Sequence, residues 1–278
     1  MNSEANAVSG SIGLFVTCLA DLFRPSVAFS AAKLLENQGF SVTVPIQSCC
    51  GQPAYNSGDE RKTRGLAKQF IEQFEEFDYV VAPSGSCSSM VKIHYFDLFG
   101  SEPDWQKRSQ QLANRTFELS EFLLDVLKVS LSGVDLNPSN GSEGLSDKPF
   151  VDSKITYHDS CSGLRELGIR SQPRELLKQS CGVEIKEMSN SEICCGFGGT
   201  FCVKFPEIST RMVDNKIDGI VETKADILLG GDLGCLMNIA GRLKRTGSKT
   251  RVYHYAELLA LETEGDLVDD GIAGEKNV

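Results

Sequence analysis

The chain has 278 residues, of which 41% are hydrophobic and 24% charged, a composition typical of a globular protein large enough for two domains. Its formal net charge of −10 argues against nucleic-acid binding, which needs clustered lysine and arginine, and against binding to anionic membranes. The sequence contains no run of about 18 apolar residues, the length that a transmembrane helix needs.

The N-terminal segment and the cysteine content bear on the cellular compartment. Residues 1–21 hold one short apolar run without a preceding basic segment, which favours a buried first strand over a signal peptide. We therefore predict a cytoplasmic protein whose ten cysteines are kept reduced and serve metal or redox chemistry. A disulfide framework is the alternative, although the adjacent Cys49 and Cys50 could bridge each other only with an unusual peptide geometry.

Apolar periodicity and turn residues predict alternating strands and helices in the first half of the chain. Strands are predicted over residues 12–17, 40–46 and 78–83, and helices over residues 25–37 and 59–77. The segment 103–131 is predicted to be helical. The next segment, 132–149, is rich in Ser, Gly, Asn and Pro, which predicts a flexible linker between two domains.

The second half repeats this order of elements. Strands are predicted over residues 154–160, 183–188 and 225–231, helices over 173–181 and 206–222, and a closing strand with a short helix over 251–261. Strands that alternate with helices are typical of parallel sheets. We therefore predict an α/β fold of two similar parallel-sheet βαβ domains related by an internal repeat, over residues 1–131 and 150–278.

Eight of the ten cysteines form a pattern that occurs once in each half, first as C-x30-CCG-x35-C and then as C-x32-CCG-x38-C. The first set is Cys18, Cys49, Cys50 and Cys87, and the second set is Cys161, Cys194, Cys195 and Cys235. Each group of cysteines follows the end of a predicted strand, where parallel α/β sheets place their ligand sites. We therefore predict that the cysteine loops lie at a cleft between the two domains.

Cysteine thiolates, commonly four per cluster, are the ligands of iron–sulfur clusters. The two sets therefore predict one or two clusters per chain, most simply of the [4Fe–4S] type, and a function in electron transfer. Gly51 and Gly196 follow the two cysteine pairs, where a glycine lets the backbone bend closely around a cluster and present N–H groups to sulfur.

Two residues near the second set are candidates for a supporting role. His158 could donate a hydrogen bond to a cluster sulfur or couple a proton to electron transfer, and a structural role at a strand end fits it equally well. Cys202 follows Cys195 by seven residues and is a candidate ligand or redox-active thiol. Cys181 lies at a predicted helix end and is typical of a small buried hydrophobic residue.

Zinc is the main competing metal. Zinc ribbons draw their ligands from close pairs such as C-x2–4-C, and the chain contains no CxxC. Zinc bound in the same thiolate pockets stays open, because zinc accepts four thiolates readily. A zinc-binding interaction module is therefore one alternative function.

Five strings that span both halves resemble the cysteine-rich CCG domain family, which includes the cysteine-rich subunit of heterodisulfide reductase and the iron–sulfur subunit of glycolate oxidase. They are SCCGQPAYNSG (48–58), PSGSCSSMV (83–91), YHDSCSGLRELGI (157–169), CCGFGGTF (194–201) and GGDLGCLMNIAGRL (230–243). In detail they are most similar to the lactate-utilisation A group of that family.

This resemblance implies an iron–sulfur electron-transfer subunit of a complex that oxidises L-lactate to pyruvate. It also implies sister lactate-utilisation subunits as partners, one of them a ferredoxin-like iron–sulfur protein. Whether the chain is itself an enzyme stays open. The alternative is an iron–sulfur oxidoreductase that acts directly on a disulfide or on another 2-hydroxy acid such as glycolate.

The sequence departs from the family's full motif, which ends in CxxC. Here Cys87 is followed by SSM and Cys235 by LMN, so each half offers four matched cysteines rather than five. Four thiolates suit an ordinary four-iron cubane. The departure puts in doubt the split cluster and the disulfide cleavage of the five-cysteine relatives, and it leaves open whether both halves hold a cluster.

Overall fold

The computed structural model describes residues 10–128, 150, 153–189, 191–260 and 271–272. The predicted linker, 132–149, lies outside the described residues. The domain bounds 1–131 and 150–278 therefore stay a prediction. Among the described helices, none combines the length and the apolar character that crossing a membrane requires.

A four-stranded parallel sheet organises the first half, with the strand order β2-β1-β3-β4. The strands are β1 (Ser11–Leu14), β2 (Ser41–Thr43), β3 (Tyr79–Ala82) and β4 (Thr116–Glu118). The two central strands, β1 and β3, are mostly buried, as expected for parallel strands covered by helices on both faces.

A second parallel sheet organises the other half, with the order β5-β6-β7. Its strands are β5 (Ile155–His158), β6 (Ile227–Gly230) and β7 (Arg251–His254). Ile185 forms a single parallel bridge with Ile155, at the place that β2 holds beside β1. Both sheets thus follow one order, and the predicted α/β fold with two similar parallel sheets is confirmed. The strand predicted over 183–188 is reduced to this one bridge, because the Val183 N–H bonds to the Leu177 carbonyl instead of a strand and only the Lys186 N–H bonds to the carbonyl of Ile155.

Helices fill the connections of the first half. They are α1 (Cys18–Phe23), α2 (Pro25–Glu36), α3 (Gln52–Asn56), α4 (Glu60–Phe74), α5 (Gly85–Ser89), α6 (Tyr95–Leu98), α7 (Pro103–Ala113) and α8 (Leu119–Glu121). Two π-helical turns, Met90–His94 and Phe122–Val126, continue α5 and α8. The helical prediction for 103–131 is wrong in its middle, where β4 pairs with β3 and completes the sheet.

The helices of the second half follow the same plan. They are α9 (Cys161–Arg165), α10 (Ser171–Cys181), α11 (Phe201–Lys204), α12 (Pro206–Thr223), α13 (Leu233–Arg245) and α14 (Tyr255–Leu259). α10 ends where predicted, because Gly182 adopts a left-handed conformation with φ of 64° that stops the helix.

One hydrophobic core joins the halves. Leu14 and Phe122 of the first half belong to the same buried cluster as Tyr157 and Leu229 of the second. Polar contacts accompany this packing, since the Tyr255 hydroxyl donates a hydrogen bond of 2.6 Å to Glu118 across the boundary. The two halves therefore pack directly against each other.

Candidate metal centres

The chain order places the cysteines at equivalent points of the two sheets. Cys18 and Cys161 are the first residues of α1 and α9, shortly after the equivalent strands β1 and β5 end. Cys87 and Cys235 lie in the first turns of α5 and α13, after β3 and β6. The vicinal pairs lie in the loops before α3 and α11. Each set therefore converges on the carboxyl end of its own sheet.

The thiols of the first set form a continuous chain of contacts. Cys49 accepts hydrogen bonds from Cys18 and Cys50, which lower the pKa of Cys49 to about 3. The Sγ atoms of Cys50 and Cys87 are 3.6 Å apart. The backbone N–H of Gly51 also donates to the Cys49 sulfur, at 3.4 Å. These donors stabilise a thiolate in the middle of the set.

The second set repeats this arrangement. Cys194 accepts hydrogen bonds from Cys161 and Cys195, which lower the pKa of Cys194 to about 2, and Cys195 in turn contacts Cys235. The N–H of Gly196 donates to the Cys194 sulfur at 3.4 Å. A further N–H, that of Phe197, donates to Cys195 at 3.5 Å. The structure thus brings together all four predicted cysteines of each set.

The glycines after the cysteine pairs carry the tight turns. Gly51 and Gly196 have φ values of +86° and +81°, in the left-handed region that favours glycine. A Cβ on Gly196 would lie 2.7 Å from the backbone oxygen of Ser209 in α12, whereas a Cβ on Gly51 would meet nothing closer than 3.5 Å. The second turn is therefore held more closely against its helix than the first.

His158 lies at the end of β5 and is 1% exposed. Neither of its ring nitrogens has a hydrogen-bond partner among the described residues. One of them lies with the sulfurs of Cys195 and Cys235 in a buried group whose ligand atoms are all within 4.8 Å of one another. Burial, with a smaller contribution from Lys216, lowers the pKa of His158 to about 3.

Lys216 was not singled out from the sequence, although it lies on the buried face of α12. Its side chain is fully buried and donates a hydrogen bond of 2.9 Å to the carbonyl of Ser191. Burial lowers the pKa of Lys216 to about 8, while the neighbouring thiols of the second set act in the opposite direction. The sequence contained one indication of its burial, because Lys216 lies on the same helical face as the apolar residues Val213, Ile217 and Ile220.

A cavity of about 300 Å³ lies between the halves, beside the second set. Its described lining includes Gln52, Tyr55, Asn56, Ser86, Met90 and His94 from the first half, and Cys161, Cys194, Cys195, Cys235, Glu166 and Asp232 from the second. The described lining contains no cysteine of the first set. The second set is thus the one that faces the cleft.

Asp232 connects the two halves at this cavity. Its carboxylate accepts hydrogen bonds from the Ser84 hydroxyl at 3.1 Å and from the Ser86 N–H at 2.9 Å. Ser84 and Asp232 are the N-cap residues of α5 and α13, the helices that carry Cys87 and Cys235. A direct contact between the first residues of α5 and α13 therefore fixes the positions of Cys87 and Cys235 relative to each other.

The cysteines outside the pattern lie in different surroundings. Cys181 is buried in the core that the halves share, with its sulfur 3.9 Å from the carbonyl of Leu258. Cys202 is half-buried in α11, where its thiol donates to the carbonyl of Gly199 at 3.3 Å.

The donor chemistry is compatible with metal or iron–sulfur binding. All ten cysteines are free thiols, and eight of them form the two contiguous sets. In each set two thiols are buried, one within the vicinal pair and one in the third loop, while the others reach the surface. Thiolates with backbone N–H donors at sulfur are typical of iron–sulfur sites.

Comparisons with known proteins agree with this arrangement. The model of the CCG cysteine-rich domain matches residues 12–92 and 155–240, one match in each half. "Lactate utilization protein A" of Shouchella clausii is 46% identical over 250 residues, which cover 90% of this chain and 98% of that protein. The proteins of the same name from Halalkalibacterium halodurans and Geobacillus kaustophilus are 47% and 45% identical, over 89% of this chain and 96% and 98% of theirs. The chain therefore belongs to the CCG cysteine-rich domain family.

Proposed function

We propose that this protein is an electron-transfer subunit for lactate utilisation that holds iron–sulfur clusters in its two cysteine sets. The observation that carries the proposal is the contact of four thiols in each half, at equivalent ends of two parallel sheets. The name of the relatives, lactate utilization protein A, supplies the metabolic context.

The ligands of the first cluster would be Cys18, Cys49, Cys50 and Cys87, and those of the second Cys161, Cys194, Cys195 and Cys235. When bound, such clusters supply one-electron redox chemistry. The N–H groups of Gly51, Gly196 and Phe197 would donate to cluster-bound sulfur. Such donors stabilise added negative charge and so favour the reduced state.

The cavity beside the second set supports a role in electron transfer rather than in lactate oxidation. Lactate is an anion at neutral pH, and a site for it needs a cation or several N–H donors. The described lining of the cavity carries the carboxylates of Glu166 and Asp232 and no lysine or arginine. This cavity therefore lacks the cation that a lactate site needs, which favours electron relay by this chain and substrate oxidation by a partner; Lys204 lines a separate cavity beside Cys194.

The proposal includes sister lactate-utilisation proteins as partners, one of them a ferredoxin-like iron–sulfur protein. It places the complex in the cytoplasm, because ten free thiols suit a reducing compartment. Association with such partners would depend on surface complementarity more than on the acidic net charge alone.

The test is the iron and acid-labile sulfide content of anaerobically purified protein, together with EPR of the dithionite-reduced form. About eight iron atoms per chain support two four-iron clusters, and about four support one. Lactate oxidation by the chain alone with an artificial acceptor would contradict the relay role. Activity that appears only with the partner subunits would support it.

Zinc is the second candidate, favoured by the buried group of His158, Cys195 and Cys235. Imidazole and thiolate are the usual ligands of structural zinc. Stoichiometric zinc without iron or sulfide, after anaerobic purification and attempted cluster reconstitution, would replace the electron-transfer proposal with a non-redox interaction module.

A further inference from the structure

His158 has a buried ring whose surroundings differ from those of the other buried histidine. In His254, Nδ1 accepts a hydrogen bond from the Ala256 N–H at 3.2 Å, and Nε2 contacts the Pro83 carbonyl at 3.1 Å. Neither nitrogen of His158 has such a partner among the described residues. A buried polar group without a partner is destabilising, so this ring calls for a partner that is not a protein atom.

The position of the ring indicates what that partner is. A nitrogen of His158 and the sulfurs of Cys195 and Cys235 all lie within 4.8 Å of one another, and all three residues are buried. A neutral imidazole nitrogen and thiolate sulfur are the ligands that zinc and iron take in proteins. One unpartnered nitrogen of His158 therefore lies beside two of the thiols already predicted to hold a metal.

The first half has no counterpart of this nitrogen among its described residues. Phe15 lies three residues before Cys18, as His158 lies three residues before Cys161. The Phe15 ring packs edge-on against Phe70 with 4.7 Å between centroids, inside an apolar cluster that also contains Cys50 and Cys87. The repeat thus places a hydrocarbon ring at one centre and an imidazole at the other.

We propose that His158 is a nitrogen ligand of the second metal centre. The inference deepens the proposed function, because it requires that a metal or cluster binds there. The second half then offers five donors, His158 with its four matched cysteines, whereas the first half offers four. A four-iron cluster takes one protein ligand per iron, so the imidazole would take the place of one of the four thiolates, and this exchange of a negative for a neutral ligand raises the reduction potential. We expect the second centre to have a higher potential than the first.

The experiment uses the full chain labelled with ¹⁵N-histidine, reconstituted anaerobically and studied by pulsed EPR in the reduced state. The chain has only three histidines, so a nitrogen coupling can be assigned with single variants. We expect a strong, directly bonded ¹⁵N coupling that His158→Phe abolishes. His94→Phe is the matched control, because His94 lines the cavity without belonging to the buried group of ligand atoms, and it should leave the coupling unchanged.

A second variant guards against misfolding. His158→Cys offers a thiolate in place of the imidazole, and we expect it to keep the metal, lose the nitrogen coupling and shift the potential of the second centre downward. The proposal is overturned if the second centre loads and only a weak, hydrogen-bonded nitrogen coupling is seen. It is also overturned if the coupling survives in His158→Phe.

The failure of the proposed function is distinguishable from the failure of this inference. If no iron or sulfide binds, Co²⁺ alone serves as the probe, and its absorption bands report the ligand set without any cluster. A Co²⁺ spectrum that changes in His158→Phe would then support the nitrogen ligand while the electron-transfer role fails. A spectrum that stays unchanged, or a second set that takes up no metal at all, would overturn the ligand assignment.

Discussion

The two halves hold their thiols alike but pack them against different side chains. At the first centre the residue three positions before Cys18 is Phe15, and at the second the residue three positions before Cys161 is His158. A second pair differs in the same way. Phe70 follows Thr63 by seven residues in α4, as Lys216 follows Ser209 in α12. Thr63 and Ser209 are themselves equivalent, since each lies against the glycine of its own CCG turn.

The positions of the sulfurs and the charge around them are therefore determined by different parts of each half. The backbone, the glycine turns and the cysteine spacing set where the sulfurs lie, and these are common to both halves. The buried neighbours set the charge around the sulfurs, and these differ between the halves. The first half has the phenyl rings of Phe15 and Phe70, whereas the second has the imidazole of His158 and the ammonium group of Lys216. Because charges act strongly in a buried, weakly polarisable site, two centres of similar geometry should differ in their electronic properties.

Substitution of Cys87 or Cys235, the last cysteine of each set, should have the largest effect, which is a loss of bound metal. We expect Cys87→Ser to lose the metal of the first centre alone, and Cys235→Ser that of the second alone, because each removes one buried thiolate from a separate set. Iron, sulfide and zinc per chain measure the result. Cys181→Ser is the control and should keep both metals, since Cys181 lies in the core. Loss of both centres from one substitution would break the picture of independent sites.

Substitution of the buried residues Phe70 and Lys216, which lie near the two cysteine sets, should have the next largest effect. We expect Phe70→Lys to cost about 3–5 kcal/mol, because it places an unpaired charge in an aromatic cluster. Lys216→Met should change the free energy of unfolding by about 1 kcal/mol or less, since removal of a buried charge offsets the lost bond to Ser191. Urea unfolding of the metal-free protein compares them. Equal losses of unfolding free energy in Phe70→Lys and Lys216→Met would contradict the proposed difference between the surroundings of the two cysteine sets.

The helix caps at the ends of β4 and β7 also differ between the halves, and their difference should show in pH dependence. Glu118 caps α8 and His254 caps α14, each in a capping box. Burial raises the pKa of Glu118 from 4.5 to about 7, and burial lowers the pKa of His254 from 6.5 to about 4. Both groups are therefore held neutral over part of the range between pH 4 and pH 7.

The sign for Glu118 follows from its raised pKa. Between pH 4.5 and 7 the folded chain keeps a proton that the unfolded chain releases, so stability falls as the pH rises, by about 3 kcal/mol. Because His254 contributes a slope of opposite sign between pH 4.5 and 6.5, we expect Glu118→Gln to make stability in urea unfolding rise more steeply with pH over that range than in the wild-type protein. The loss of stability from His254, which runs the other way as pH falls from 6.5 to 4, should persist in that variant. A slope that is unchanged by Glu118→Gln would show that another group carries it.

The sequence allowed the sheets and the grouping of cysteines to be predicted, because both rest on local patterns. Apolar runs such as YVVA and ILLG predict buried parallel strands, and the repeated spacing brings each set of cysteines to strand ends. Elements that depend on tertiary pairing were not predicted. β4 is three residues long within a helical-looking segment and forms because β3 offers an unpaired edge. The segment 183–188 alternates like a strand but pairs only at Ile185.

The neighbours of the cysteines were harder to predict than the cysteines themselves. His158 precedes Cys161 closely and was recognisable for that reason. Lys216 lies 21 residues beyond Cys195, and its proximity depends on how α12 crosses the CCG turn. Asp232 is recognisable as a helix cap, but its contact with Ser84 depends on how the two halves pack. Local signals carry no information about such contacts.

The smallest expected difference concerns the turns. Gly51→Ala should cost about 1–2 kcal/mol, because alanine resists the left-handed conformation that this turn requires. Gly196→Ala meets the same strain and also brings its Cβ within 2.7 Å of the Ser209 carbonyl, so α12 must shift. We expect roughly 1–3 kcal/mol of additional cost from this overpacking, measured by urea unfolding without metal. Equal losses would mean that α12 yields freely, and the closer fit of the second turn would then have no energetic consequence.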